Sequence, residues 1–304
     1  MRALRTPDER FADLADFDFE PGYAEVPDGD GDGGELRMAY YDAGPDDGQP
    51  VLLLHGEPSW SYLYRTVIPV LAGAGLRAVA VDLVGFGRSD KPVEVGDHSY
   101  ARHVAWVRSL VFDVLGLSAI TLVGQDWGGL IGLRLVASDP IRFARVVAAN
   151  TGLPTGDQPM PSSWVRFAEA VAGAQTLDIA RFVQNGCRTE LSDEARRGYE
   201  APFPDESFKA AVRAMPSLVP RNPDDPETEA NRAAWGELAK WRRPFLVAFS
   251  DGDPITGPMA PVFRQVVPGT AGIEHPVIAG AGHFLQEDAG EALGKAIVEF
   301  VRAT

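Results

Sequence analysis

The sequence predicts an α/β protein: a mostly parallel central sheet flanked by helices on both faces, with a helical cap inserted late in the chain. Three observations carry this. Six short apolar runs end in Gly, His or Asp, as strands buried on both faces do. Segments with helical spacing separate most of these runs, and such alternation favours parallel pairing with crossover helices. One long interval, by contrast, contains no strand-like run at all.

Taken in order, "YAEVPDGDGDGGELRMAYYDAG" reads as two antiparallel edge strands around an acidic turn. Asp28, Asp30, Asp32 and Gly33 imitate the start of a calcium loop. The position that needs a bidentate Glu is Ala39, so the segment is expected to be a solvated hairpin loop. The apolar runs follow: "PVLLLHG", "LRAVAVDLVGFG", "AITLVGQD", "FARVVAANTG", "PFLVAFSDGD" and the less regular "HPVIAGAGH". "YARHVAWVRSLVFDVLGL" and "WGGLIGLRLVASDP" have apolar residues at helical spacing and cover the sheet. Residues 155–231 supply only helical pieces such as "SSWVRFAEAVAG" and "ESFKAAVRAM". We therefore expect a core domain of residues 1–154 and 232–304 and a helical cap of residues 155–231, which would exclude water and shape a small-molecule pocket.

The bulk numbers narrow the function classes. A chain of 304 residues can bury a sizeable core. A formal net charge of -15 argues against nucleic acid and anionic membrane surfaces as partners. Cys187 is the single cysteine, so no internal disulfide is possible and a zinc site lacks its usual ligands. The N-terminus has no apolar signal-like run, and no segment reaches the length of a membrane span, so a cytoplasmic location is expected.

Chemistry is expected where the strands end, because ligands of open parallel sheets bind at their carboxyl ends. His55, Gly56 and Glu57, then Asp126 and Trp127, Asn150, Asp251 and Asp253, and His283 occupy those ends. "GQDWGG" fits a nucleophile elbow, a sharp strand-to-helix turn, with Asp where Ser often stands. Asp126 taken alone also fits a helix N-cap. Its chain order with Asp251 or Asp253 and then His283 is nucleophile, acid, base. His55 is expected to hold its own loop, and His98, His103 and His275 to be solvated. A carboxylate nucleophile suits displacement at saturated carbon, leaving an alkyl ester that His283 then hydrolyses through water. Two reactions run this way, on carbon–halogen bonds and on epoxides. A departing halide calls for N–H donors, and the indole of Trp127 is one. Trp164, early in the cap, is a second candidate. An epoxide oxygen calls for a proton, usually from tyrosine, and Tyr199 is the one tyrosine of the cap.

The blocks "LLHGEPSWSYLYR", "DLVGFGRSDKP", "VGQDWGGLIGLRL", "YEAPFPDES" and "GHFLQED" span nearly the whole chain. On them the sequence resembles the haloalkane dehalogenases of the α/β-hydrolase superfamily, in the subgroup with Glu in the "HGEP" oxyanion loop. The resemblance implies the α/β-hydrolase fold and hydrolysis of haloalkanes to a primary alcohol, halide ion and proton, with no cofactor and no metal. It implies Asp126 as nucleophile, His283 as base and, from the Asp-Pro block, Asp253 rather than Asp251 as acid. Glu57 and Trp127 would supply oxyanion-hole N–H groups, and Trp127 and Trp164 would bind halide. A small apolar halogenated substrate, halide and water are the implied partners, with the chain a monomer or weak homo-oligomer. Epoxide hydrolysis, or a non-catalytic binding protein on the same fold, are the alternatives.

Overall fold

A computed structural model describes all residues, 1–304. The strands are β1 (Ala3–Leu4), β2 (Pro21–Pro27), β3 (Glu35–Ala43), β4 (Pro50–Leu54), β5 (Arg77–Val81), β6 (Lys91–Pro92), β7 (Ile120–Gln125), β8 (Phe143–Ala149), β9 (Phe245–Val247), β10 (Phe249–Ser250) and β11 (Val277–Ile278). The helices are α1 (Ile68–Gly73), α2 (Tyr100–Arg108), α3 (Trp127–Ser138), α4 (Ser162–Gly173), α5 (Ile179–Gly186), α6 (Asp193–Glu200), α7 (Ala210–Leu218), α8 (Thr228–Leu238), α9 (Met259–Val266) and α10 (Leu285–Ala303).

Seven strands form the main sheet in the order β2-β3-β5-β4-β7-β8-β9. β2 and β3 form the antiparallel edge, and every pair from β5 to β9 is parallel. β4 and β7 are buried from end to end but for Pro50, as expected of strands covered on both faces. This arrangement brings the carboxyl ends of β4, β7 and β8 side by side, so Gly56, Asp126 and Asn150 become neighbours.

The last part of the sheet departs from expectation. The run "PFLVAFSDGD" is two short strands, and "HPVIAGAGH" keeps only two strand residues, β11, paired with β10. The cause is a side chain. The amide oxygen of Asn150 accepts from the backbone N–H of Ser250 at 2.9 Å, where a ladder bond to the next strand would otherwise form. β10 is thereby turned off the main sheet and towards β11.

No strand lies between β8 and β9. Helices α4 to α7 fill that interval. α8 straddles the expected boundary at 231/232 and packs on the core helix α3, with Arg134 bonding Glu227 at 3.0 Å and Asn231 at 3.1 Å.

Two expectations of solvation are corrected. Asp28 is buried, taking the Met1 ammonium at 2.9 Å, while Arg102 pairs with Asp30 at 2.6 Å, so the acidic turn is tied down rather than free. His98 and His103 are also buried, with stacked rings and His98 Nδ1 3.3 Å from His103 Nε2. His103 lies on α2, three residues before Trp106, and packs beside Trp106 and Trp127, while His98 just precedes the helix and meets the edge of Trp106. His275 is half-buried, accepting from Val247 N–H at 3.2 Å. Helical periodicity alone does not separate a small polar ring in the core from one in water.

Burial drives His98 from 6.5 down to about 4 and His103 well below its ordinary value, so both are neutral in the fold. A depressed histidine contributes stability that is complete above the unfolded value and is lost as the pH falls towards the folded one. For His98 that loss is on the order of 3 kcal/mol between about pH 6.5 and 4. We expect His98→Gln to flatten the acid slope of stability by nearly one proton, read as urea unfolding free energy at a series of pH values. Equal slopes in the two proteins would show that His98 is already charged in the fold.

Candidate active site

Asp126 stands between β7 and α3 with φ 49° and ψ -124°, a conformation side chains rarely adopt. Small neighbours make the turn possible. A Cβ on Gly128 would lie 2.0 Å from Leu54 O, and one on Gly129 2.0 Å from Thr151 Oγ1. A Cβ on Gly56 would meet Asp126 Cβ at 2.3 Å, so the loop after β4 can approach the carboxylate only as glycine. The turn is then held by hydrogen bonds. Asp126 N–H donates to Asn150 O at 3.0 Å, and Asp126 O accepts from Thr151 Oγ1 at 2.8 Å and from Gly129 N–H at 2.9 Å. Asp126 therefore forms no side-chain cap on α3. Its carboxylate faces outward instead, with Oδ1 taking the Glu57 N–H at 2.9 Å.

His283 lies on the loop before α10. Its Nε2 is 3.5 Å from Asp126 Oδ2, and its Nδ1 is 2.9 Å from Asp253 Oδ2. Asp253 is wholly enclosed and also accepts from Ile255 N–H at 2.8 Å and from the Thr256 hydroxyl. Asp251 is exposed and accepts from Gly280 N–H at 3.0 Å, a turn-forming contact away from the imidazole. The loop carrying His283 is tied to the helices between β8 and β9. His283 N–H donates to Gly186 O at 2.7 Å, and Asp288 accepts from Gly282 N–H at 2.8 Å and from Thr189 N–H at 2.8 Å.

The charges oppose one another. Burial pulls the His283 imidazole down, but the Asp253 and Asp126 carboxylates outweigh it and raise it to about 10. Burial alone would raise Asp253, yet His283 and the hydrogen bonds at its oxygens hold it below the ordinary carboxylate range. Glu57 is pushed well above that range by burial and by the neighbouring Asp126, and its Oε1 has no protein partner. His55 keeps to its loop: its Nε2 accepts from Leu83 N–H at 3.0 Å, and burial drives it down to about 4.

Above these residues is a cavity of about 860 Å³, lined from below by Glu57, Asp126, Trp127 and His283 and from above by Trp164, Phe167, Phe182 and Val219. The six tryptophans divide by the fate of their indole N–H. Trp60, Trp106 and Trp235 donate to backbone carbonyls, and that of Trp241 is enclosed without a partner. Trp127 and Trp164 line the cavity, and neither indole N–H has an acceptor within the protein. Tyr199 is turned away, its hydroxyl donating to Glu287 at 2.5 Å. Thus the structure brings Asp126, Trp127, Trp164, Glu57 and His283 to one cavity, with Asp253 enclosed behind His283.

Sequence reasoning missed four residues. Gln125 touches His283, Thr256 bonds Asp253, and Asp288 secures the His283 loop. Asn150 was legible only as a strand end, yet its amide nitrogen donates to Gly282 O at 2.8 Å and His283 O at 3.1 Å. Gln125, Asn150 and Asp288 stand inside quoted motifs and Thr256 just after one, but only distance across the fold shows what each one holds.

Comparison with known proteins agrees with this geometry. A family model described as the alpha/beta hydrolase fold matches residues 49–290. A haloalkane dehalogenase of Psychrobacter cryohalolentis is 52% identical over 301 residues, covering 99% of this chain and 98% of that protein. One of Mycolicibacterium paratuberculosis is 47% identical, covering 100% and 99%. The tetrameric haloalkane dehalogenase of Paraglaciecola agarilytica NO2 superposes with a TM-score of 0.88 at 34% identity, covering 97% of each chain. No helix is long and apolar enough to cross a membrane. Similarity of this degree along the whole chain, on a sheet and an elbow of the same kind, means that the protein belongs to the haloalkane dehalogenases of the α/β-hydrolase fold.

Proposed function

We propose that the chain hydrolyses haloalkanes to a primary alcohol, halide and a proton through an alkyl ester on Asp126, beneath a cap formed by residues 155–231. The observation that carries the halide reading is the pair of unengaged indole N–H groups, Trp127 and Trp164, in the cavity above the aspartate. In the first step Asp126 Oδ2 attacks the carbon bearing the halogen. A C–O bond forms, the carbon–halogen bond breaks, and the halide leaves with the electron pair towards the two indoles. Oδ1 is already engaged by Glu57 N–H, which leaves Oδ2 as the free nucleophile.

In the second step His283 Nε2 takes a proton from water, and the water oxygen attacks Cγ of Asp126. The negative charge that develops on Oδ1 is stabilised by Glu57 N–H and by Trp127 N–H, which as the first of α3 has no intrahelical acceptor. Asp253 holds the Nδ1–H tautomer and stabilises the imidazolium. The ester then collapses, and the alkoxide leaves as alcohol with the proton from His283. Epoxide opening is less well supported, because Tyr199 is committed to Glu287 and the cavity lining has no tyrosine.

The large exposed apolar side chains, Tyr23, Val95, Val114, Ile141, Val165 and Val277, lie on separate segments. Such scatter supports a monomer or weak homo-oligomer. Sedimentation at micromolar concentration should therefore give mainly monomer. A stable tetramer, as in the Paraglaciecola relative, would contradict this reading.

Three variants test the mechanism. His283→Ala should be alkylated by 1-bromobutane but should not turn over, since only the second step uses a base. Mass spectrometry should find the butyl adduct on the peptide containing Asp126, and an unmodified protein after long incubation would sink the mechanism. Asp253→Asn should lose about 10⁴ in turnover, as in the template triad, while Asp251→Asn stays within a few-fold of the parent. Comparable losses in both would remove Asp253 from its role.

Trp127→Phe and Trp164→Phe each delete a donor to the departing halide. One hydrogen bond to a charged group contributes about 1.5–3 kcal/mol, so alkylation should slow roughly ten- to a hundred-fold in each. Single-turnover halide release measures this. Bromide or iodide should also quench a saturable fraction of the fluorescence of the parent and a smaller fraction in each variant. An unchanged alkylation rate in the Trp164 variant would take that residue out of the site.

A further inference from the structure

Gln125, the last residue of β7, has no exposed surface and lies against His283. Its amide nitrogen is 3.3 Å from His283 O and 3.2 Å from His283 Nε2. Its Oε1 has no partner. The first contact orients the amide, because a backbone carbonyl only accepts and so must face the NH₂ group. The reversed amide would set two oxygens against each other. The Asp253 contact at 2.9 Å orients the ring, placing its hydrogen on Nδ1. Nε2 of the neutral imidazole is then a lone pair, and the second amide hydrogen points to it. In the imidazolium, Nε2 also carries a hydrogen, and the same contact sets donor against donor.

We propose that Gln125 is a positioning residue that holds the His283 ring in plane and favours its neutral, proton-accepting form over the imidazolium. The inference rests on the reading of His283 as the base of ester hydrolysis. Two carboxylates face the ring, Asp253 at Nδ1 and Asp126 at 3.5 Å from Nε2, and both favour the cation. Glu57, buried and with its carboxyl pushed well above the ordinary range by burial and by Asp126, is the third acid close by. Arg188, a cation among the cavity-lining residues, packs against Gly252. In the ester Asp126 is uncharged, so Gln125 is then set against Asp253 alone, and its influence falls on the second step. The 3.2 Å contact is long, so a water at an ordinary hydrogen-bond distance of about 2.8 Å displaces it when the base is needed.

The test separates the two steps by rapid quench with 1-bromobutane over a range of pH. Gln125→Met keeps the length of the side chain without its donors, and Gln125→Leu is a second donor-free variant. In both, alkylation should stay within about twofold of the parent, which also reports an intact fold. The acid limb of ester hydrolysis should move about one pH unit towards alkali, a roughly tenfold slower hydrolysis below the limb that recovers at higher pH. A limb at the parent's pH overturns the proposal, whatever happens to the plateau. Alkylation that falls in parallel with hydrolysis at every pH in both variants overturns it as well, since it assigns Gln125 a general structural role. Failure of the underlying reading looks different: the parent enzyme itself would form no alkyl adduct on Asp126.

Discussion

The site depends on one strained residue. Asp126 occupies a backbone region that costs on the order of 1–3 kcal/mol, and it stays there only because its surroundings leave no alternative. Its N–H and C=O are both engaged, by Asn150 O, Thr151 Oγ1 and the first turn of α3. Each of these bonds has a net value of about 0.5–1.5 kcal/mol, so together they exceed the strain. Glycines at 56, 128 and 129 let three backbones meet where any side chain would collide. The same turn that lifts the carboxylate into the cavity also starts α3, so the N–H groups at the helix start face it. In the proposed mechanism, nucleophile and oxyanion donors are thus consequences of a single backbone bend.

Asn150 ties that bend to the base. Its carbonyl oxygen accepts from Asp126 N–H, its amide nitrogen donates to Gly282 O and His283 O, and its amide oxygen takes Ser250 N–H. One residue therefore spans the elbow, the His283 loop and the turn leading to Asp253. The ends of three chain segments, far apart in sequence, are thus joined through the main-chain carbonyl and the side-chain amide of one residue. The cap shares in this: Gly186 O and Thr189 N–H clasp the His283 loop, so the helices that roof the cavity also position the base. In physical terms the roof and the triad are one hydrogen-bonded unit.

What the sequence revealed and what it concealed follow from the range of the interactions. The sheet and the elbow were legible because each leaves a local mark, an apolar run or a small-residue turn, and the candidate residues at the strand ends followed from them, whereas the choice of Asp253 over Asp251 came from the family resemblance alone. The parallel strands needed only their continuous apolar character, borne out by β4, β5, β7 and β8. The break between β9 and β10 was not legible, because its cause is Asn150, a hundred residues away. The burial of His98 and His103 was hidden for a similar reason: His103 sits on α2 and His98 just before it, where the pattern admits a polar ring on either face until the partner aromatics Trp106 and Trp127 are in place. Trp164 was legible as a cap aromatic, but its approach to the cavity depends on how α4 lies over the sheet.

The electrostatics of the site change with its chemistry. With Asp126 ionised, two carboxylates hold His283 near its cationic form, a state that suits an ion pair and not a base. Alkylation turns Asp126 into a neutral ester. One of the two anions that raise the imidazole is then gone, while the burial that lowers it remains. The ring becomes easier to deprotonate at the stage when a base is required. Asp253, enclosed and held in its anionic form, keeps enough attraction to stabilise the imidazolium as water is cleaved. Burial and Asp126 both disfavour a further negative charge on Glu57, beside the developing oxyanion. Burial of Glu57 and Asp253 beside a half-buried Asp126 is costly for a fold, and in the proposed mechanism that cost is what lets a single covalent step switch histidine from counter-ion to base.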